Sequence, residues 1–151
     1  MSGQILSVAH TGVTVSDLER ATAFFRDVLG AKVTEPLMAD LPVFEKITGV
    51  KDARIKIVFA DLPGGHRIEL LEYMEPQAKQ ISNLRPCDPG HMHLSLNVEG
   101  IEDIVEQLRR GGFEPVGPVQ EVVEHGGIKA IYTVGFDNIF VELMYFPPGV
   151  A

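Results

Sequence analysis

Two histidines and two glutamates recur in this chain at matching positions. His10 opens the run His10-Thr-Gly-Val-Thr-Val15 and His93 opens His93-Leu-Ser-Leu-Asn-Val98, each five residues before a valine. Glu69 lies within Ile68-Glu69-Leu70, and Glu142 within Val141-Glu142-Leu143. Imidazole nitrogens and carboxylate oxygens form a ligand set suited to a divalent metal ion, and His10, Glu69, His93 and Glu142 would leave positions on a six-coordinate ion open to water or substrate oxygens. The donors do not choose among Ni, Co, Mn, Fe, Zn and Mg, so one divalent ion of unspecified identity is expected per site. Such an ion acts as a Lewis acid on neighbouring oxygens and eases loss of a proton beside a carbonyl. A base within hydrogen-bond reach is then needed. Any one of the four residues alone would pass for a polar side chain on a half-exposed strand; their repetition in register sets them apart.

The elements around them repeat as well. In the first half, residues 5–15 read as a strand, and Ser16 with Glu19 forms a capping-box pattern. Leu18, Ala21, Phe25, Val28 and Leu29 recur at helical spacing, with Gly30 as the stop. Strands follow near 31–38, 53–60 and 66–73, the last after the Gly64-Gly65 turn. In the second half, residues 93–98 read as a strand and Ile101, Ile104, Val105 and Leu108 as a helical stripe ending at Gly111-Gly112. Strands are expected near 113–119, 127–134 and 138–146. His10 and His93 are 83 residues apart and Gly30 and Gly112 are 82 apart, so strand and helix hold one register. Glu69 and Glu142 are only 73 apart, which puts about ten extra residues in the first half, near Ala39–Val50, where Pro42 and Gly49 bracket a short helix. The expected organisation is a β-α-β-β-β module over 1–75, a Pro-rich linker over 76–90, and a second such module over 91–148, forming one compact unit of the α+β class.

Strand alternation sorts the side chains. His10 shares a face with Val8 and Gly12, Glu69 with Arg67 and Leu71, His93 with His91, Ser95 and Asn97, and Glu142 with Phe140 and Met144. Ile68, Leu70, Leu94 and Leu96 look the other way, toward the helices. The four candidate ligands therefore sit on the less uniformly apolar faces. His91 shares the face of His93, but register favours His93 as the ligand and leaves His91 at the rim. His66 and His125 adjoin Gly-Gly turns and read as loop histidines, and Cys87 as a bystander thiol. Phe140, Met144, Leu71 and Val8 would make either ordinary core or an apolar substrate wall. Arg67 or Arg54 could anchor an anionic group.

Composition narrows the class. The 151 residues are 45% hydrophobic and 23% charged, ordinary for a globular chain large enough to bury a core. A formal charge of −8 and the lack of a basic stripe argue against nucleic acid. No apolar run reaches the length of a membrane span, and the N-terminus shows no signal pattern. A single cysteine fits a reducing compartment. The expectation is a cytoplasmic protein acting on a small molecule, with neither nucleic acid nor membrane as partner.

The pattern His-x-x-x-x-Val-x-Asp-Leu, an amphipathic helix, Leu-Gly and a later Ile-Glu-Leu resembles the vicinal oxygen chelate superfamily, which includes glyoxalase I, methylmalonyl-CoA epimerase, extradiol dioxygenases and the fosfomycin and bleomycin resistance proteins. The resemblance spans nearly the whole chain. It implies tandem βαβββ modules forming a curved mixed sheet around a metal cup, and a homodimer. It also implies that Glu142 or Glu69, besides ligating the metal, takes a proton from substrate; Glu45 is the nearest match to a separate base proposed in the epimerases. Glu69 follows the glyoxalase ligand set. Thr14, in place of that enzyme's arginine, and Glu69-Leu-Leu-Glu-Tyr73, which lacks its asparagine, imply a substrate other than glutathione. The resemblance thus points to an isomerase, epimerase or lyase acting by proton abstraction next to the chelated carbonyl of an oxygen-rich or acyl-thioester substrate. Its alternatives are an Fe(II) dioxygenase-like enzyme and an antibiotic-binding module without catalysis.

Overall fold

The computed structural model describes residues 3–77 and 79–150. The chain divides into two compact units, Met1–Lys79 and Gln80–Ala151. The division falls within the stretch read as a linker.

In the first unit, β1 (Thr11–Thr14) leads into α1 (Leu18–Ala23), which continues as a π-helical turn over Phe24–Val28. There follow β2 (Lys32–Val33), β3 (Leu37–Ala39), α2 (Pro42–Thr48), β4 (Arg54–Asp61) and β5 (Arg67–Glu75). The sheet runs β1-β5-β4-β2, with β3 also on β4. β1 is parallel to β5 and the other pairs are antiparallel. β2 and β3 are two pieces of one strand, since Lys32 lies opposite Asp61 and Ala39 opposite Ile55. Pro36, which has no N–H to give a sheet, lies in the break. Thr34 maintains the pairing there: its N–H donates to Phe59 O at 2.9 Å and its Oγ1 accepts from Phe59 N at 3.1 Å.

α1 starts one residue later than the Ser16–Glu19 pattern suggests. Val15 is still tied to the sheet, its N–H donating to Leu71 O. The cap is Asp17, whose carboxylate accepts from Arg20 N at 2.9 Å. The Leu18 amide donates to Glu72 Oε2 from β5 at 3.0 Å, so a distant carboxylate occupies the positive end of the helix. Leu18, Ala21, Phe24 and Phe25 are buried, and α1 packs on β4 and β5. On β5, Ile68 and Leu70 are buried while Glu69 between them is only partly so, as alternation requires. The opposite face of β4 carries a second small core, Ala39, Ala53, Ile55 and Ile57, against which Phe44 of α2, Phe59 and Leu71 pack. The extra residues of the first half thus cover part of the face that bears Glu69.

The second unit repeats the plan with β6 (Leu94–Asn97), α3 (Ile101–Arg110), β7 (Glu114–Pro115), β8 (Gln120–Val122), β9 (Ile128–Val134) and β10 (Phe140–Tyr145). Its sheet runs β6-β10-β9-β7, with β8 also on β9, and β6 is parallel to β10. β7 and β8 are again one strand in two pieces, separated by Gly117 and Pro118. Counted this way, each unit is βαβββ. α3 buries Ile101, Val105 and Leu108, one helical stripe, and carries Glu102 and Asp103 in its first turn and Arg109 and Arg110 in its last, which complements the helix dipole.

Two local devices position β10. A Cβ built on Gly135 would stand 2.4 Å from the ring of the fully buried Phe113, so only glycine fits between β9 and that ring. The following 3-10 turn, Phe136–Asn138, places Asp137 and Asn138 at φ 57°, a left-handed conformation that Asp and Asn tolerate best among side-chain-bearing residues. Asn138 Nδ2 donates to Leu84 O at 2.8 Å, tying the turn to the segment that leads toward His93. Among the described residues no helix is long and apolar enough to cross a membrane.

Candidate functional site

Each unit brings its own histidine and glutamate together. His10 immediately precedes β1, and its Nε2 lies 3.0 Å from Glu69 Oε2 on β5. His93 immediately precedes β6, and its Nε2 lies 3.4 Å from Glu142 Oε2 on β10. The same parallel pairing of first and last strand brings about both encounters, with Gly12 beside Glu69 and Ser95 beside Glu142. The histidines are about one-third exposed and the glutamates mostly buried, at 38% and 33% against 16% and 17%, so each carboxylate is held by the sheet while its imidazole faces outward.

The geometry of each pair fits a metal ligand pair. Nitrogen and oxygen ligands stand at about 2.0–2.2 Å from a bound ion, so two of them at right angles are about 3 Å apart. That is the separation seen, with Nε2 and carboxylate oxygen as the facing donors. Among the described residues no three His, Cys, Asp or Glu side chains come together as a ready-made cluster; each unit supplies two.

The antiparallel neighbours of the glutamates are aromatic in both units. Phe59 lies opposite Glu69, with its ring 6.0 Å from that of His10. Tyr132 lies opposite Glu142, with its ring 4.9 Å from that of His93 and its Oη 3.4 Å from His93 Nε2. Burial, and then the charge of Glu142, push the Tyr132 phenol above its usual value, so it is a protonated donor at neutral pH. Sequence reading missed both aromatics. Their spacing of 73 residues, identical to that of Glu69 and Glu142, is the signal that could have found them.

The remaining candidates are placed as follows. His91 stacks on His93 at 6.3 Å between centroids and meets Phe140 edge-on at 4.8 Å, and its Nε2 is buried without a hydrogen-bond partner. Arg67 forms a bidentate pair with Asp61 at 2.6 and 2.8 Å and covers the Phe59 ring at 5.4 Å. Glu45 is exposed on α2, and its Oε2 accepts from Asp52 N at 3.1 Å, a local structural bond. His66 Nε2 lies 3.1 Å from Thr11 Oγ1, His125 is in an exposed 3-10 turn, and Cys87 is a free, exposed thiol. Phe140 is buried and Leu71 and Met144 partly so, whereas Val8 is 80% exposed and lies outside β1.

Residues 9–132 match the model of the glyoxalase/bleomycin resistance protein/dioxygenase superfamily. The chain belongs to that superfamily, the class that the paired βαβββ units and their in-register His–Glu pairs define. It is 28% identical over 151 residues to a 2-epi-5-epi-valiolone epimerase of Actinomyces sp., covering 95% of this chain and 81% of that one. It is 30% identical over 118 residues to the mitochondrial methylmalonyl-CoA epimerase of Bos taurus, covering 78% of this chain and 61% of the bovine one; the chain thus spans about three-fifths of that relative. Among solved structures, a glyoxalase family protein of Bacillus cereus superposes with a TM-score of 0.84 at 23% identity, covering 95% of each chain. The fosfomycin resistance protein FosX of Listeria monocytogenes, in complex with Mn(II) and sulfate, superposes with a TM-score of 0.61 at 18% identity, covering 97% of this chain and 98% of that one. At these identities the structural likenesses bear on fold alone.

Proposed function

We propose that this protein is a metal-dependent epimerase that removes and returns a proton on carbon beside a carbonyl of a small oxygen-rich or acyl-thioester substrate. The observation that carries the reading is the twice-built His–Glu pair, with donors facing each other at ligand spacing in both units. The two relatives named as epimerases support this reaction class over an oxygen-dependent one and over antibiotic binding without catalysis.

His10, Glu69, His93 and Glu142 would hold the ion. When bound, a divalent cation supplies Lewis acidity to a substrate carbonyl and so lowers the cost of negative charge on its oxygen. The chain's own residues do the rest. A carboxylate, Glu142 or Glu69, accepts the proton as the C–H bond breaks and its electron pair moves toward the carbonyl oxygen. The other of the two carboxyl groups, in its protonated form, would deliver a proton to the opposite face of that carbon; one proton passes from donor to acceptor carboxyl per turnover, and exchange with water resets the pair. Glu69 and Glu142 keep 16% and 17% of their side-chain surface exposed, so a proton held on either carboxyl can exchange with water. Arg67 is committed to Asp61 and Phe59, and Glu45 to Asp52, so neither is assigned a part in the reaction.

The test is solvent exchange. Metal-loaded protein is incubated in heavy water with methylmalonyl-CoA and, separately, with 2-epi-5-epi-valiolone, and deuterium incorporation is followed by NMR. One deuterium at the carbon beside the carbonyl is expected for at least one of the two, and Glu142→Gln should retain its fold while exchange slows at least a hundredfold. Absence of exchange from both compounds and from related 2-substituted acyl thioesters would overturn the reading.

A further inference from the structure

Glu19 on α1 and Lys56 on β4 have counterparts in the second unit. By the spacings of 83 and 73 that relate the modules, they correspond to Glu102 and Lys129. There the two are joined, Lys129 Nζ donating to Glu102 Oε1 at 2.9 Å. In the first unit Lys56 forms no ion pair or hydrogen bond among the described residues. Its cross-strand neighbour on β5 is Glu72, an opposite charge well placed to pair with it. That carboxylate instead accepts from the Leu18 amide at 3.0 Å. Lys56 is only partly exposed, so its ammonium has lost hydration without gaining an anion.

Glu19 and Lys56 line a cavity of about 430 Å³ between the flank of α1 and β4, together with Thr22, Arg26, Pro36 and Val58. Arg26 is bound twice by Asp27, at 2.7 Å each, which leaves Lys56 as the uncommitted cation of the wall. Thr22 and Val58 correspond to Val105 and Ile131, both buried in the second unit. The cavity of about 490 Å³ beside the Lys129–Glu102 bond is lined by neither of them. Lys56 and Val58 alternate with Ile57 and Phe59 along β4, so the first unit's cavity lies on the helix side of the sheet, opposite the face that bears Glu69.

We propose that this cavity is a second ligand site, for a small zwitterion of the amino-acid class with an apolar side chain. The ligand carboxylate meets Lys56 Nζ, its ammonium meets the Glu19 carboxylate, and its side chain lies against Val58 and Pro36. Two opposite charges that line one cavity without bonding to each other are both answered only by a ligand that carries both signs. A simple anion would satisfy Lys56 but be repelled by Glu19, and a simple cation the reverse. A carboxylate on a partly buried ammonium forms a charge-assisted bond, roughly twice as strong as a neutral one. The volume is within the range of about 300–1,000 Å³ usual for small-molecule sites. The site uses none of the four candidate metal ligands, and it stands independently of the epimerase reading.

The experiment is calorimetry on the full-length chain with L-norleucine as the probe. Hexanoate, which lacks the ammonium, and pentylamine, which lacks the carboxylate, are the comparators. L-Norleucine should bind at a single site, and each comparator should bind at least about tenfold more weakly, the loss expected for one hydrogen bond to a charged group. Lys56→Met and Glu19→Gln should each lower L-norleucine affinity about tenfold or more. Lys129→Met, in the joined pair of the second unit, should leave it unchanged. In amide NMR spectra the signals of Thr22 and Val58 should shift on adding L-norleucine. No uptake of L-norleucine, or equal affinity in the wild type and Lys56→Met, would overturn the proposal. Hexanoate binding as tightly as L-norleucine would overturn the zwitterion assignment, and an affinity lost in Lys129→Met rather than Lys56→Met would overturn the location. None of these results bears on the exchange assay above.

Discussion

Gly135→Ala should destabilise the second unit through one contact. The added Cβ would stand 2.4, 2.5 and 2.6 Å from three carbons of the Phe113 ring. Carbon atoms prefer separations of about 3.5–4.0 Å, so ring or backbone must give way by roughly 1 Å. Phe113 is fully buried and meets Phe136 edge-on at 5.2 Å, which leaves the ring no open side. Overpacking a well-filled core costs about 1–3 kcal/mol. For a chain of this length about 2 kcal/mol lowers Tm by roughly 4–8 °C. Differential scanning calorimetry checks this, with Gly117→Ala as control: a Cβ there meets nothing within 4 Å, and Tm should stay within about 2 °C of wild type. Because the displaced backbone leads directly into β10, His93 to Glu142 alignment should also suffer, and metal affinity should fall in Gly135→Ala but not in Gly117→Ala. Equal melting temperatures for Gly135→Ala and wild type would show that the Phe113 packing is not as described.

Three further substitutions test local claims. Asp17→Ala removes the side-chain cap of α1 and should cost about 1 kcal/mol in urea denaturation, whereas Ser16→Ala, at the cap position that the sequence pattern suggests, should cost less than half of that. Hydrogen bonds from the Arg85 side chain and then from its backbone N–H hold the Asp88 carboxyl below the usual carboxylate range. A depressed folded-state value stabilises the fold above the unfolded carboxylate range, and the contribution disappears as pH falls through the folded value. NMR titration should show Asp88 ionising at lower pH than an ordinary aspartate, and Arg85→Leu should return it toward the normal range.

The site was legible in outline because its evidence is periodic. His10 and His93 sit 83 apart and Glu69 and Glu142 sit 73 apart, and strand alternation places the two glutamates away from the helices, as the burial of Ile68, Leu70, Val141 and Leu143 shows. What the sequence concealed depends on neighbours distant along the chain. Residues 5–10 carry a strand-like pattern, yet β1 begins only at Thr11, and Ile5, Leu6 and Val8 are 80–93% exposed; β propensity does not form a strand where no partner is paired. The second strand of each module is broken where Pro36 or Gly117-Pro118 interrupts the ladder. The cap moved from Ser16 to Asp17 because the strand bond at Val15 extends the sheet by one residue. Tyr132 went unremarked in the sequence, and only the antiparallel register places it opposite Glu142. The buried, unpartnered nitrogen of His91 has no signature in the sequence.

The most direct test of the whole account is metal stoichiometry. Chelator-stripped protein is titrated with Mn(II), Co(II), Ni(II) and Zn(II), and bound metal is counted by elemental analysis in the wild type and in His10→Ala, Glu69→Gln, His93→Ala and Glu142→Gln. About one ion per chain is expected for at least one of these metals, with every single substitution lowering affinity at least tenfold. A wild type that takes up no ion, or whose affinity falls only on substituting the pair of one unit, would contradict the proposal that His10, Glu69, His93 and Glu142 all serve as ligands.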